Sequence, residues 1–470
     1  MLGLFGTLNL GTRALVAHQQ GVQVAGHNLA NVNNPAYARQ RLNLQTSTPI
    51  GDSAGILGTG VDAGSIVSLR DRLVDEEMTS ETSLTGSLES QQNAVRNAQT
   101  NLGEQVDQAT GTSGAGGSHS LADGLANFFD GFQKVSADPT SLAARQVLLG
   151  AAASLTTQFN LIDHRLGALN TSLNTQVQTE VSQANALIGD LAGLNSQISK
   201  AESRSGGTAN DLRDLRQQKL ENLAHLVKID SSTDDHGSLQ VSVGGSLLIS
   251  GNQIQDTLAS YDGGGGQLLV RTATSGTNLS LTGGSLQGTM TARDGAVADL
   301  RRDLNSLAHE LIANVNSIHS NGYDLSGNTG QAFFSGTNAA DIQVNASLLA
   351  DPRRLQAAGA AGATGNNTVA LALAQFATQP VASLSNQTIS QNYSKTVSGL
   401  GQALATLNTQ QADQQVVTTL LTTQRNSLSG VSLDEEMTDL TRFQKAFAAS
   451  ARLITTVDDM LDTVINLKRG

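Results

Sequence analysis

The chain has 470 residues, 3% of them aromatic, with no tryptophan, no cysteine and a net charge of −12. Its length exceeds what one hydrophobic core serves, its composition excludes disulfides and thiolate metal sites, and its acidity argues against a phosphate-backbone partner. With 48 glycines and 5 prolines, long helices of Leu, Val and Ala joined by Gly/Ser/Asn loops are expected, with little from which to build an aromatic core.

The start, Met1-Leu2-Gly3-Leu4-Phe5, lacks a basic segment and a continuous apolar run, so no signal peptide is expected. No stretch approaches the roughly 20 apolar residues of a membrane span. Leu8, Leu15, Val22 and Leu29 then recur at intervals of seven, the spacing that keeps one stripe of a helix on a partner. Gly11, Gly21 and Gly26 lie in the same segment and cost roughly 0.8–1 kcal/mol each in a helix interior. Alone the segment should melt; burying four aliphatic side chains returns about 1.5–3 kcal/mol each, so it should order on assembly.

The run Asn31-Val32-Asn33-Asn34-Pro35-Ala36-Tyr37 ends this helix, because Pro35 disfavours helix at Asn34 and asparagine accepts turn geometry. An extended region follows from Gly58 to Leu69. Long helices are expected over 72–107 and 142–204, separated by the Gly/Ser loop 111–118 and a short helix with Phe128, Phe129 and Phe132. In the second, Leu155, Phe159, Ile162, Leu166, Leu169, Leu173, Val177 and Val181 step by three and four, the mark of a bundle helix. Residues 210–228 add another.

Near 229 the period changes to two. Leu239, Val241 and Val243, the turn Gly244-Gly245, then Leu247 and Ile249 read as a hairpin. Further strands are expected at Leu268–Val270 and Leu279–Leu281, with the glycine run 263–266 nearby. Helix returns over 291–319, with Leu300, Leu304, Leu307, Leu311, Val315 and Ile318, and over 386–429.

The last segment repeats the seven-residue interval at Leu433, Leu440, Phe447, Ile454 and Leu461, with Met437, Gln444, Ala451, Asp458 and Ile465 as the expected second seam. Ser432 and Glu435 have capping-box spacing, Asp434, Glu435 and Glu436 suit the positive end of the helix dipole, and Lys468-Arg469 suit the other end. The polar face of the terminal helices is rich in Asp and Gln, whereas membrane-surface helices carry Lys and Arg there; a protein partner is expected.

The fold class is therefore mainly α with an inserted β domain, in which the chain goes out and comes back. Residues 1–47 and 430–470 form a terminal coiled-coil assembly domain, 48–228 and 291–429 a helical bundle, and 229–290 a small outward-facing β domain.

No fragment asks for catalysis, a metal or a cofactor. His309-Glu310-Leu311-Ile312-Ala313, with His319 beyond, begins like a zinc-protease motif but has Ala313 where the second histidine is required. Asp75-Glu76-Glu77 and Asp434-Glu435-Glu436 diverge around a helix, the glycine run 263–266 lacks the Lys and Ser/Thr of a phosphate loop, and His18 falls on the N-terminal stripe.

The stretch Asn31-Val32-Asn33-Asn34-Pro35-Ala36-Tyr37-Ala38-Arg39-Gln40 resembles the signature after the first helix in the axial proteins of the bacterial flagellum, with Ala36 where that family usually has glycine. Tyr37-x-Arg39-Gln40, the run Asn316-Ser317-Ile318-His319-Ser320-Asn321-Gly322-Tyr323-Asp324-Leu325 and the ending Gly430-Val431-Ser432-Leu433-Asp434-Glu435-Glu436-Met437 resemble the hook-associated members. The resemblance covers essentially the whole chain and is weakest over 229–290. It implies a structural subunit of the hook–filament junction, self-assembling into a ring or short helical layer between the hook protein and a second junction protein. It also implies unfolded type III export from the cytoplasm to the extracellular flagellum, and an export chaperone on the C-terminal helical region. Alternatives are another axial subunit, hook- or filament-like, and, far behind, a secreted cell-wall hydrolase or protease.

Overall fold

The computed structural model describes residues 3–52, 55–103, 120–233 and 238–467. The Gly/Ser loop 111–118 and Lys468-Arg469 lie outside them. Helix α1 (Leu4–Ala30) leads into a long antiparallel ladder of β1 (Gln40–Thr46) and β4 (Val61–Ser68), extended by a small ladder of β2 (Ile50–Asp52) and β3 (Gly55–Leu57). Only the second half of this hairpin was legible as extended chain, because Arg41, Asn43 and Gln45 in β1 are polar and exposed.

Helix α2 (Arg72–Leu102) starts where the Asp71 carboxylate accepts the Leu73 N–H and ends at Gly103, whose φ of 70° favours a residue without Cβ. Helices α3 (Leu121–Ala137) and α4 (Leu142–Ser205) are capped by Ser120 and Ser141. With 64 residues, α4 runs for about 96 Å and buries its whole expected stripe from Leu155 to Val181. Helix α5 (Asn210–Leu226) completes the outward half.

Strands β5 (Asp230–Thr233), β6 (Leu239–Val243), β7 (Ser246–Ser250) and β8 (Gln253–Ile254) form one antiparallel sheet in chain order. Strands β9 (Leu258–Asp262) and β10 (Leu268–Thr272) make a separate hairpin, and the glycine run 263–266 is its turn. The strand expected at Leu279–Leu281 does not form: Leu279 and Leu281 are partly buried against the core while only Asn278 makes a bridge, to Arg271. The sheet is not free-standing. Val241, Val243 and Ile249 share a core with Val181 and Ile188 of α4, Leu223 of α5 and Leu286.

The return begins earlier than the periodicity suggests, with α6 (Gly284–Ala292), a π-helical turn (Arg293–Val297) and α7 (Ala298–His319). Arg293 is fully buried at that turn; its guanidinium donates to Asn174 Oδ1 and the Leu268 carbonyl, both at 2.7 Å, and pairs with Asp294. One side chain thus ties α4, β10 and the returning helix together. Between α7 and the next long helix the chain is irregular, with β11 (Phe334–Ser335), β12 (Gln343–Val344), α8 (Ala346–Ala350) and α9 (Thr368–Phe376). Then α10 (Ile389–Ser429), with a full capping box from Thr388 and Gln391, and α11 (Leu433–Leu467) close the chain.

The scarcity of aromatics is misleading about the larger core. Phe128, Phe132, Phe333 and Phe334 meet with ring centroids 4.7–5.7 Å apart, and Phe129 and Phe376 join them. The few aromatics are concentrated in one place, where edge-to-face packing adds to burial.

His319 is fully buried beside Phe333. Its Nδ1 lies 2.8 Å from the Gln331 carbonyl and its Nε2 accepts the Gln356 N–H at 3.0 Å, so the neutral ring satisfies both nitrogens. Burial, assisted by the Arg145 charge, lowers its pKa from 6.5 to about 4. The unfolded chain therefore binds this proton more readily, and the stabilisation, worth about 3 kcal/mol, is complete above pH 6.5 and lost as pH falls towards 4. NMR titration should find His319 still neutral at pH 5, and unfolding free energy should fall across that window; a ring titrating near 6.5 would contradict the burial.

Candidate functional site

Helices α1 and α11 pack against each other, antiparallel, joining the two ends of the chain. The contact row on α1 runs Gly11, Ala14, His18, Gly21, Ala25 and Asn28 at steps of three and four, its glycines and alanines interrupted by His18 and closed by Asn28. A Cβ on Gly21 would lie 2.5 Å from the Phe443 ring, and one on Gly11 would lie 2.9 Å from Ile454 Cγ1. These glycines are holes for bulky knobs, which explains residues that otherwise weaken the helix. By contrast Gly26 has no atom within 4 Å of such a Cβ.

The partner seam on α11 is Glu436, Leu440, Phe443, Phe447, Ser450, Ile454, Val457 and Leu461, each buried or half-buried. Leu440, Phe447, Ile454 and Leu461 thus sit in the helix pair, whereas Leu433 is exposed ahead of it. The expected second seam is displaced by one residue: Met437, Gln444, Asp458 and Ile465 are exposed, and Phe443, Ser450 and Val457 take their place. On α1 the stripe Leu8, Leu15, Val22 and Leu29 is half-buried and flanks the contact. Aliphatic periodicity found the helix but missed its seam, because the seam is made of glycine, alanine and the polar His18 and Asn28.

His18 meets Phe443 with ring centroids 6.3 Å apart, and burial lowers its pKa. Its Nδ1 has no hydrogen-bond partner among the described residues.

The signature loop locks this pair at its inner end. Asn28, 1% exposed, uses its whole carboxamide: Oδ1 accepts from the Tyr37 hydroxyl at 2.7 Å and the Gln40 N–H at 2.9 Å, and Nδ2 donates to the Gln40 carbonyl at 2.8 Å and Glu436 Oε2 at 2.9 Å. Arg39 reaches Glu436 at 2.6 Å and Glu435 at 2.5 Å, and its N–H donates to the Ser429 carbonyl at 2.8 Å. Glu435 is therefore engaged with Arg39, not with a capping box at Ser432. Burial, with Asp211, Asp214 and Glu436 adding, pushes the Tyr37 phenol far above its ordinary value, so it stays a hydrogen-bond donor.

The same loop grips the helical body. Gln40 Nε2 donates to Asp211 at 2.6 Å, the Ala38 N–H to Asp214 at 3.0 Å, and Arg70 joins Asp214, Asp75 and the Ala36 carbonyl, each at 2.8 Å. Asn31 donates to the His27 carbonyl at 3.0 Å, and the Asn34 side chain accepts the Ala36 N–H at 3.2 Å. Ala36 has no positive φ, so the turn does not need glycine there. Asn33 and Pro35 are exposed and border an open cleft of about 580 Å³ with Arg425, Asn426 and Ser432. Asn28, Arg70 and Asp214 were not singled out from the sequence, and Glu436 was read only as part of an acidic first turn; the heptad step from Gly21 to Asn28 was the available signal for the first.

The zinc-like fragment is not assembled. His309 is exposed and bonds the Thr337 carbonyl at 3.0 Å, while His319 is buried in the core. No cluster of three or more His, Cys, Asp or Glu able to hold a metal occurs among the described residues, nor is any of their helices long and apolar enough to cross a membrane.

Residues 104–334 match the family described as the flagellar hook-associated protein FlgK helical domain, and residues 422–467 match the flagellar basal body rod FlgEFG protein C-terminal family. The chain is 27% identical to flagellar hook-associated protein 1 of Bacillus subtilis (strain 168), covering 99% of both chains. It is 24% identical to the Escherichia coli (strain K12) protein of the same name, covering 98% of this chain and 99% of that one. Among solved structures, the flagellar hook junction protein FlgK from Burkholderia pseudomallei superposes with a TM-score of 0.63 at 16% identity, over 75% of this chain and all of that one. A helical body with an inserted sheet, terminal helices tied by the signature loop and sequence matches from end to end agree: the chain is similar along its whole length to the FlgK hook-associated proteins of the bacterial flagellum.

Proposed function

We propose that this chain is a structural subunit of the hook–filament junction and that the α1–α11 pair, locked by the signature loop, is its assembly surface. The observation that carries this reading is the fit of the two ends: glycine holes on α1 receive Phe443 and Ile454 of α11, so the apolar surface of both tips is organised as one rod. The assembly interface is then Leu8, Leu15, Val22, Leu29, Leu440, Phe447, Ile454 and Leu461, with exposed Leu433 at its margin. The signature residues Asn31, Asn33, Pro35, Tyr37, Arg39 and Gln40 set its angle on the helical body.

In this reading subunits form a ring or short helical layer that binds the hook protein on one side and a second junction protein on the other. Type III export delivers the chain unfolded to the extracellular flagellum, and a cytoplasmic chaperone masks the C-terminal helical region first, since exposed apolar stripes associate indiscriminately. A chain without cysteine refolds after threading without thiol chemistry.

Isolated hooks mixed with labelled protein, full-length and lacking residues 1–47 and 430–470, test the proposal by electron microscopy. Label confined to one hook end and lost with the tips is the expected result. Absent binding, or binding that survives truncation, overturns it, and long filaments formed without hooks would favour another axial subunit.

A further inference from the structure

Glu180 of α4 is 7% exposed and sits between Val177 and Val181, in the core that α4 shares with α5, α6 and the sheet. Its Oε1 accepts from Gln176 Nε2 at 2.8 Å, whereas its Oε2 is buried with no hydrogen-bond partner among the described residues. No cation faces it closely. Among the described residues the one charged neighbour that acts on it is His225 of α5, whose Nε2 is turned to Glu89 of α2 at 3.2 Å.

Helix α6 supplies the other half of the site. Ser285 lies beside the Glu180 carboxyl, and Arg293, about two turns further on, donates to Asn174 of α4, so α6 runs antiparallel along α4 with Thr289 between these contacts. Ser285 is 4% exposed and Thr289 0%, and neither hydroxyl oxygen has a hydrogen-bond partner among the described residues. Thr82 and Thr85 of α2 and Thr175 and Thr179 of α4 each donate to the carbonyl four residues back; the Ser285 and Thr289 hydroxyls forgo that bond and stay between the helices. Helix α6 itself carries no charged side chain, and the Arg293 guanidinium beyond it is paired with Asp294. A Cβ on Gly284 or Gly288 would overlap the backbone of Leu226-Val227 or of Ser87, so α6 is seated without room to shift.

We propose that Glu180 is a buried proton site: the folded chain holds its carboxyl protonated, with the Oε2–H donating to Ser285 Oγ, and the docking of α6 on α4 takes up this proton from solvent. One proton gives both orphaned oxygens a partner and removes a charge that burial without a cation penalises. Burial also raises the Glu180 carboxyl above its ordinary value of 4.5, against the hydrogen bonds of Gln176 and Ser285 and the His225 charge. The unfolded carboxyl ionises first, so the stabilisation is complete below 4.5 and is lost as pH rises through the folded value. The two cores then respond to pH in opposite senses: the larger one weakens towards acid through His319, the sheet-bearing one towards alkali through Glu180.

Amide exchange in the full-length chain and in Glu180→Gln, whose amide N–H copies the acid proton, tests this from acid to alkaline pH. In β6, β7 and α6 the unmodified chain is expected to lose protection relative to the variant as pH rises, by up to about tenfold per pH unit, until the folded carboxyl ionises and the ratio levels off. A ratio that does not change with pH means that Glu180 titrates as it does in the unfolded chain, and a ratio that moves the other way means an ionised carboxylate held by His225; either overturns the proposal. Infrared spectra of the unmodified chain need no variant to fold. With isotope-labelled glutamate, which sets Glu180 apart from the similarly buried Asp214, the carbonyl band of one protonated glutamate should persist after the exposed glutamates have ionised. Its absence overturns the proposal equally, and neither result touches the role of the terminal helices.

Discussion

Replacing Gly21 with leucine will open the α1–α11 pair and abolish incorporation at the hook end, while the central cores keep their stability. The Cβ alone would lie 2.5 Å from the Phe443 ring, and the remaining carbons have no hole to enter. Overpacking of this kind costs about 3 kcal/mol, which the short contact does not absorb by local adjustment. Amide exchange should rise over 4–30 and 433–467 and stay unchanged in α4 and α7. Gly26→Ala is the control: no atom lies within 4 Å of its Cβ position, so helix propensity should make it neutral or stabilising by up to about 1 kcal/mol. Normal assembly by Gly21→Leu would remove the rod from the interface.

Arg39→Ala should have an effect of similar size by a different route. It leaves Glu436, whose side chain is 3% exposed, with Asn28 but without its cation, and an uncompensated buried carboxylate costs about 3 kcal/mol. The loss should fall on the junction of tip and body, measured as protease sensitivity near residues 31–40 and reduced hook binding. Glu436→Gln in the same chain should restore part of the stability, because the amide no longer needs a counter-charge. A double-mutant cycle with no coupling would mean that the Arg39 side chain acts through Glu435 or Asp439 and not through Glu436, since the backbone N–H bond to Ser429 survives in Arg39→Ala.

Much of the architecture was readable because it follows period. The stripe of α4, the β6–β7 turn at Gly244-Gly245 and the terminal heptads all carry spacing that elementary geometry decodes. The failures share a cause: interactions invisible to hydrophobic periodicity. The α1 seam is built from glycine, alanine, His18 and Asn28, so the aliphatic stripe pointed one row away from it. The hairpin strand β1 is polar and exposed on most positions, and the region from His319 to Thr388 is held by buried polar contacts such as Arg145 on the Pro139 and Leu355 carbonyls. The signature loop was recognised by resemblance, but its work is done with residues distant in sequence, Asp211, Asp214 and Glu436, which no local pattern connects.

Asn28 and Glu436 are separated by 408 positions along the chain. Contacts of such high order form late, because closing a loop of that length costs about 5 kcal/mol in chain entropy unless the intervening segments have already folded and drawn its ends together. A chain emerging gradually from a ribosome or a narrow channel therefore presents no completed rod until its last forty residues are free. On the proposed assembly role of the rod, fragments and half-delivered chains lack the surface that joins copies, and the pairing of first helix with last acts as a check on completeness.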